Sequence, residues 1–371
     1  MNGIKVVHLT SVHARNDTRI FRKECCSLSS YGFSVSLIVA DGMGNDSDSG
    51  IKVTDVGKPK GRLDRVLRVT NLIYKVALSE DAAIYHIHDP ELLLVGYRLK
   101  KKGKIVIFDA HEDVTKQILS KPYLSKVSRL IVSSLYAVFE KVICKNIDFV
   151  VAATPYIRRK FYRMGIDSVD INNYPLLNEF VITDSSWSSK KTQVCYVGGL
   201  TRVRGIKEIV LAVEKARNDI DLVIGGDFSE DEFKTEILSL VKDSKTKYKG
   251  WLDRKGVNEV LHSSIAGLVT LHPIPNYLDA LPVKMFEYMA AGIPVIASNF
   301  PLWKEIIDSN ECGYCVDPFD VDEIASKIDS LARSPDLAKR MGENGQRAVV
   351  EKYNWNIEEK KLILLYSDLT S

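Results

Sequence analysis

The chain has 371 residues, 45% of them apolar and 27% charged, with a formal net charge of +3. That balance excludes a disordered chain and suits a globular protein of two ordinary domains. Apolar runs such as LIVSSLYAVF (130–139) fall well short of the roughly 20 residues a membrane-crossing helix needs, and six scattered cysteines form no disulfide framework.

The first strand pattern, KVVHLTS (5–11), follows the start directly, without the charged segment, apolar core and cleavage site of a secretion signal, so a cytoplasmic location is expected. SVSLIVA (34–40), AIYHIHD (83–89), KIVIFDAHE (104–112) and FVVAAT (149–154) continue as short Val/Ile-rich runs separated by amphipathic stretches. This is the pattern of parallel strands covered on both faces by crossover helices. Two of those stretches, 62–78 and 121–146, mix apolar residues with Lys and Arg, and residues 1–180 carry 27 basic against 19 acidic side chains. Such helices either pack on the sheet with a basic solvent face or dock on an anionic membrane.

A loop-rich segment (171–191) ends this series, and the strand pattern restarts at QVCYVGGL (193–200), DLVIGGDF (221–228), AGLVTLHP (266–273) and IPVIASNF (293–300). The expected architecture is α/β, with two doubly wound Rossmann-like domains facing a cleft: 1–180, 181–352, and a C-terminal helix over 353–371 returning to the first domain. Cys312 and Cys315 have metal or redox spacing but no second pair nearby, and are expected as packed cysteines at a strand. His86 and His88, beside Asp89 and Glu91, share a strand face yet lack a defined third ligand, so no metal is expected there.

In DALPVKMFEYMAAGIPVIAS (279–298), a helix begins near Leu281 or Pro282 and stops at Gly292. Its first turn offers free backbone N–H groups to a phosphate. Asp279 lies before that turn and Glu287 roughly 7–8 Å further along the helix. Phosphate would repel either acid, so both suit hydroxyl groups on the two sides of a diphosphate, as in a nucleotide sugar. The alternative is a helix cap at Asp279 and a solvated face residue at Glu287. YVGGLTRVRGIKEIV (196–210) adds a glycine-rich turn with Arg202 and Arg204, suited to diphosphate oxygens.

These motifs, together with HARNDTRIFRKECCSL (13–28), HIHDPELL (86–93), FDAHED (108–113) and KYNWNIEEKKLILLY (352–366), resemble the retaining family 4 glycosyltransferases of GT-B fold, in their bacterial cell-surface polysaccharide branch. The resemblance implies that Glu287 holds the donor ribose and Asp279 the donor sugar, with Asp standing where the family has Glu. It places His111 near the donor sugar and the base against Lys249–Leu252, including Trp251 and Leu252. Gly199 stands where the family carries an arginine and Arg204 where it carries a lysine, so Arg202 or Lys284 is expected to supply the missing charge, with Arg202 favoured. Asp17, Arg19 and His88 become acceptor-side candidates.

The implied function is retaining transfer, without a bound metal, of a sugar from a UDP-sugar, or a GDP-sugar, to a glycan acceptor on a polyprenyl diphosphate at the inner membrane face. A small soluble acceptor, or a nucleotide-sugar-binding protein with impaired turnover, are the alternatives. Nucleic acid is not expected as a partner, because the basic residues are not interleaved with an aromatic platform.

Overall fold

The computed structural model describes residues 3–121, 123–180, 187–241 and 245–370. The chain divides into two compact units, Met1–Asn173 with Asn356–Ser371, and Tyr174–Trp355.

The first unit is built on strands β1 (Lys5–Leu9), β2 (Ser34–Val39), β3 (Asp46–Asp48), β4 (Ile51–Asp55), β5 (Ile84–Ile87), β6 (Ile105–Ala110), β7 (Phe149–Ala152) and β8 (Ser168–Asp170). They lie in the order β3-β4-β2-β1-β5-β6-β7-β8, parallel except for the β3–β4 hairpin. Inner strands are buried on both faces, as Val6, Val7 and Leu9 or Val106, Ile107 and Phe108 show, which explains their continuous apolar runs. Within these runs His8 pairs in register with His86, so two polar rings stand side by side mid-sheet.

The second unit contains β9 (Gln193–Val197), β10 (Asp221–Gly225), β11 (Thr246–Tyr248), β12 (Ala266–Val269), β13 (Val295–Ser298) and β14 (Gly313–Val316), all parallel in the order β11-β10-β9-β12-β13-β14. In each unit the strand order reverses once, between β1 and β5 and between β9 and β12. Chain leaving such neighbouring strands in opposite directions opens a crevice at their carboxyl ends, where ligands of doubly wound sheets bind.

Four strands, β3, β4, β8 and β11, were absent from the sequence expectation. Three of them have three residues each, too few for any periodicity to register. The division falls at Asn173/Tyr174, not at 180/181, because Tyr174 and Phe180 pack into the core of the second unit. Residues 181–186 of the expected linker lie outside the described residues. Helix Trp355–Leu369 joins the first unit from Asn356 onward. There the Glu358 carboxylate accepts the Asn172 N–H at 2.8 Å, and the Tyr366 hydroxyl lies 2.8 Å from Nδ1 of His86.

One core residue reaches out to the loop that follows β12. Trp303, on helix Pro301–Ser309, is fully buried, and its indole N–H donates to the Ala280 carbonyl at 2.7 Å. Trp303→Phe keeps the bulk and removes the bond, and is expected to cost about 1 kcal/mol. Trp303→Ala is expected to cost about 3–5 kcal/mol. Urea melts of both variants check this; a Trp303→Phe protein as stable as the parent would show that the indole N–H contributes nothing.

Candidate functional site

At the switch point of the second unit, the turn after β9 approaches the end of β10 backbone to backbone. Gly198 and Gly226 have φ of +133° and +134°, and a Cβ on Gly226 would stand 2.1 Å from the Gly198 carbonyl oxygen. Only glycine fits both demands. The loop after β12 is tied to this turn, since the His272 N–H donates to the Val203 carbonyl at 2.9 Å.

Two cations converge on that turn. Arg204 donates from Nη1 to the Gly199 carbonyl at 3.2 Å. Lys284, in the first turn of helix Val283–Ala290, places its ammonium 3.7 Å from the centre of the Tyr196 ring and 2.7 Å from where a Gly198 Cβ would be. Part of its stem reaches solvent, but Nζ is closed off and has no hydrogen-bond partner among the described residues. Burial first, and the neighbouring Arg204 second, push its pKa well below the ordinary lysine value, against a smaller pull from Glu287. An unpaired ammonium in such a place is costly unless an anion meets it.

Arg202, the favoured sequence candidate for this charge, is turned elsewhere. Its guanidinium pairs with Glu236 and lies over the Phe233 ring. Lys284, just inside the helix that follows Pro282, is the cation that lies at the turn beside Arg204. Pro282 occupies the helix cap position without a side-chain cap bond, so Asp279 is not the cap and sits in the loop ahead of it. Glu287 is not a solvated face residue. Its Oε1 accepts from Arg254 at 2.8 Å, and Arg254 also pairs with Glu179. Arg254 had no sequence signal beyond its position after Asp253, which caps helix Arg254–Ser263 through the Gly256 N–H. Leu281 packs on the core, Leu252 lies against Gly225, and Trp251 is 71% exposed.

The first unit gathers its chemistry at its own switch point. After β1, the Asp17 carboxylate accepts the N–H groups of Arg19 and Ile20, each at 2.9 Å, and starts helix Thr18–Cys25. Arg19 is buried and clamps Asp109 with two bonds of 2.8 and 2.7 Å, its third nitrogen donating to the Ile171 carbonyl at 2.8 Å. Burial would raise the Asp109 pKa, but Arg19, followed by His111 and His88, holds it well below the carboxylate range. After β5, Asp89 accepts from the Thr10 hydroxyl at 2.9 Å and the Ser11 N–H at 2.6 Å, joining the two loops.

The acceptor-side expectations for Arg19 and His88 are therefore corrected: both side chains are inside the unit. His88 bridges His8 at 2.8 Å and Asp109 at 3.2 Å, and burial, opposed by Asp109, lowers its pKa to about 4. The partly exposed imidazoles at this edge are His13 and His111, with ring centres 5.0 Å apart; Nε2 of His111 lies 2.7 Å from Asp109. The expectation that His86 and His88 lack a third ligand also fails. His8 and Glu24 join them, while Asp89 and Glu91 turn to Ser11 and Arg65.

Comparison with known proteins adds to this geometry. Residues 179–348 match the family model "Glycosyl transferases group 1". A stretch of 122 residues is 29% identical to an MMP alpha-(1->4)-mannosyltransferase of Mycolicibacterium hassiacum, and 215 residues are 26% identical to an alpha-maltose-1-phosphate synthase of Mycolicibacterium smegmatis. These stretches cover 30% and 54% of this chain and the same shares of the two relatives, so the chain matches about a third to a half of their length. Among solved structures, sucrose-phosphate synthase from Thermosynechococcus elongatus superposes with a TM-score of 0.80 at 16% identity, over 99% of both chains. Anabaena Alr3699/HepE, in complex with UDP and glucose, gives 0.75 at 15% identity over 98% of this chain and 100% of its own. The two Rossmann-like units thus have the fold class of GT-B glycosyltransferases.

Because its folded pKa is depressed, charged Lys284 disfavours folding; its contribution improves as pH rises through the lowered pKa and levels off above the ordinary lysine value. A diphosphate bound beside the amine would reverse this preference and draw a proton onto it. At about pH 9, below the ordinary lysine pKa, UDP binding should take up protons, measured by calorimetry in two buffers of different ionisation enthalpy. Lys284→Met should remove the uptake; an equal uptake in the variant would assign it to another group.

Proposed function

We propose that the chain, whose C-terminal unit carries a glycosyl transferases group 1 domain, transfers a sugar from a nucleoside-diphosphate sugar, UDP-sugar by preference, to a glycan acceptor on a polyprenyl diphosphate, with retention at the anomeric carbon. The observation that carries this reading is the buried ammonium of Lys284, facing the Gly198–Gly199 turn beside Arg204 without an anionic partner in contact among the described residues. The UDP and glucose in the HepE complex support the same class of donor.

In this reading the acceptor oxygen bonds to the anomeric carbon on the face from which the diphosphate leaves, and the departing phosphate oxygen takes the acceptor proton. Arg204, Lys284 and the N–H groups of helix Val283–Ala290 stabilise the charge that develops on that oxygen. They supply the positive charge that a metal would otherwise bring. Asp279 accepts from the donor sugar hydroxyls. Glu287, oriented by Arg254, accepts from the ribose, and the backbone of Lys249–Leu252 meets the base. In the first unit, His111 stands 2.7 Å from Asp109 at the carboxyl end of β6.

Exposed side chains of the first unit support a lipid-borne acceptor. On helix Lys126–Cys144, Val127, Leu130, Ile131, Leu135, Val138 and Val142 are all exposed at helical spacing. Lys126, Arg129, Lys141 and Lys145 flank them, whereas Glu140, the one acid of the helix, is buried against Lys160 at 2.6 Å. Leu63, Val66 and Leu67 are exposed as well, and Arg62 lies over the Tyr123 ring, which joins the two patches. Apolar residues rimmed by cations match an anionic lipid surface.

Arg204→Ala is expected to lower kcat/KM by about 100- to 1000-fold; near-normal turnover would remove Arg204 from the mechanism. In thermal melts against UDP, GDP, dTDP and CDP sugars, one donor at 100 times its Kd should add about 2.7 kcal/mol, and Glu287→Ala should abolish the shift. Flotation with anionic vesicles should recover the protein at low salt and lose it in Leu130→Asp/Leu135→Asp. Failure of the parent protein to float would reject membrane docking.

A further inference from the structure

Beneath the carboxyl-end edge of the first sheet lies a cluster that sugar transfer does not use. His8 from β1, His86 from β5, His88 just beyond β5 and Glu24 from helix Thr18–Cys25 are all buried, the three imidazoles having ring centres 4.7–5.1 Å apart. Oε2 of Glu24 stands 3.9 Å from Nδ1 of His8, 3.8 Å from Nδ1 of His86 and 3.9 Å from Nε2 of His88. Oε2 of Glu24 and the Nε2 atoms of His8 and His86 lack a hydrogen-bond partner among the described residues, while Oε1 of Glu24 has only the Arg19 guanidinium, at 3.2 Å. Four polar side chains with this many unmet atoms are not a comfortable core.

We infer that His8, Glu24, His86 and His88 form a binding site for one divalent transition-metal ion, of which zinc is the type. One ligand atom from each residue lies within 4.8 Å of the others. Zinc held at its usual bond lengths keeps tetrahedral ligand atoms roughly 3.4 Å apart. The observed 3.8–3.9 Å spacings from Glu24 and the 2.8 Å spacing between His8 and His88 bracket that value. The carboxylate closes in and the two rings part by roughly half an ångström each.

The outer contacts are those of a metal-ligating set. With Nε2 of His88 toward the ion, its Nδ1 faces Asp109 at 3.2 Å, while Nδ1 of His86, 3.8 Å from Oε2 of Glu24, exchanges its 2.8 Å contact with the Tyr366 hydroxyl for the ion. Arg19 lies 3.2 Å from Oε1 of Glu24 and leaves Oε2 to the imidazole side. The overlapping group His88, Asp109 and His111 offers one ligand fewer, and both Asp109 oxygens are already held by Arg19. Full burial marks the site as structural: it pins helix Thr18–Cys25 to β1 and β5, and so sets the loop that carries His13 and Asp17.

The full chain is stripped with a chelator and titrated with Co2+ as an absorbing probe, then with Zn2+. One equivalent of cobalt should produce visible d–d bands of tetrahedral strength, displaced by zinc, and zinc should raise the melting midpoint by several degrees. Glu24→Gln preserves shape and should lose or reshape the bands, while His272→Ala, in the other unit, should keep them. A wild-type chain that folds but shows no d–d band and no zinc-dependent melting shift overturns the inference. So does a Glu24→Gln protein with unchanged cobalt bands.

Discussion

A charge removed from water must find a partner, and each unit of this chain is arranged around that requirement. In the first unit the requirement is met internally, because the Arg19 fork closes on Asp109 and ties the start of helix Thr18–Cys25 to β6. In the second it is left open, because Lys284 is carried under the glycine turn with a tyrosine ring and another cation for company. The closed pair is architecture, and the open one is a demand for an anion. A buried pair adds little to stability by itself, but breaking it strands the other charge, which makes the Arg19–Asp109 contact a fixed point from which His88 and His111 take their positions.

The open charge explains the backbone around it. The turn after β9 dispenses with side chains at Gly198 and Gly199, where Lys284 and Arg204 approach, and β10 ends in Gly225 and Gly226, which leave room for Leu252 and for the Gly198 carbonyl. The departure of this sequence from the arginine and lysine pair of the family it resembles becomes a rearrangement of charge. Arg204 approaches from the β9 side, and Lys284 approaches from the helix after β12. Positive charge at the turn is thereby kept, although one cation comes from a different segment of the chain.

Much of this is legible in the order of the amino acids. Strands buried on both faces leave long Val/Ile runs, and β1, β2, β5, β6, β7, β9, β10, β12 and β13 are all visible in that way, while three-residue edge strands with solvated polar residues are not. The site is legible in its residue types and only partly in its partners. Arg202 and Lys284 both qualify as the second cation, and nothing in spacing separates an arginine that meets Glu236 on a neighbouring helix from a lysine that tucks under the turn. Arg254 leaves no trace, because its partners Glu179 and Glu287 are 75 and 33 residues away. The neighbours of the HIHD histidines leave no trace for the same reason: His8 lies 80 residues before His88.

What the sequence by itself determined is local and periodic: the strand and helix alternation, the restart of the pattern after the loop-rich stretch, the helix that begins beyond Asp279, and the glycines that admit a ligand. These follow from short-range sterics and from which faces of an element must avoid water, and both are written in neighbouring residues. Which charge is satisfied and which is left waiting was decided only by the tertiary structure. Parallel topology brings residues that are far apart in the chain to adjacent strand ends, and a charged group's partner depends on distance in space, where separation along the chain has no bearing.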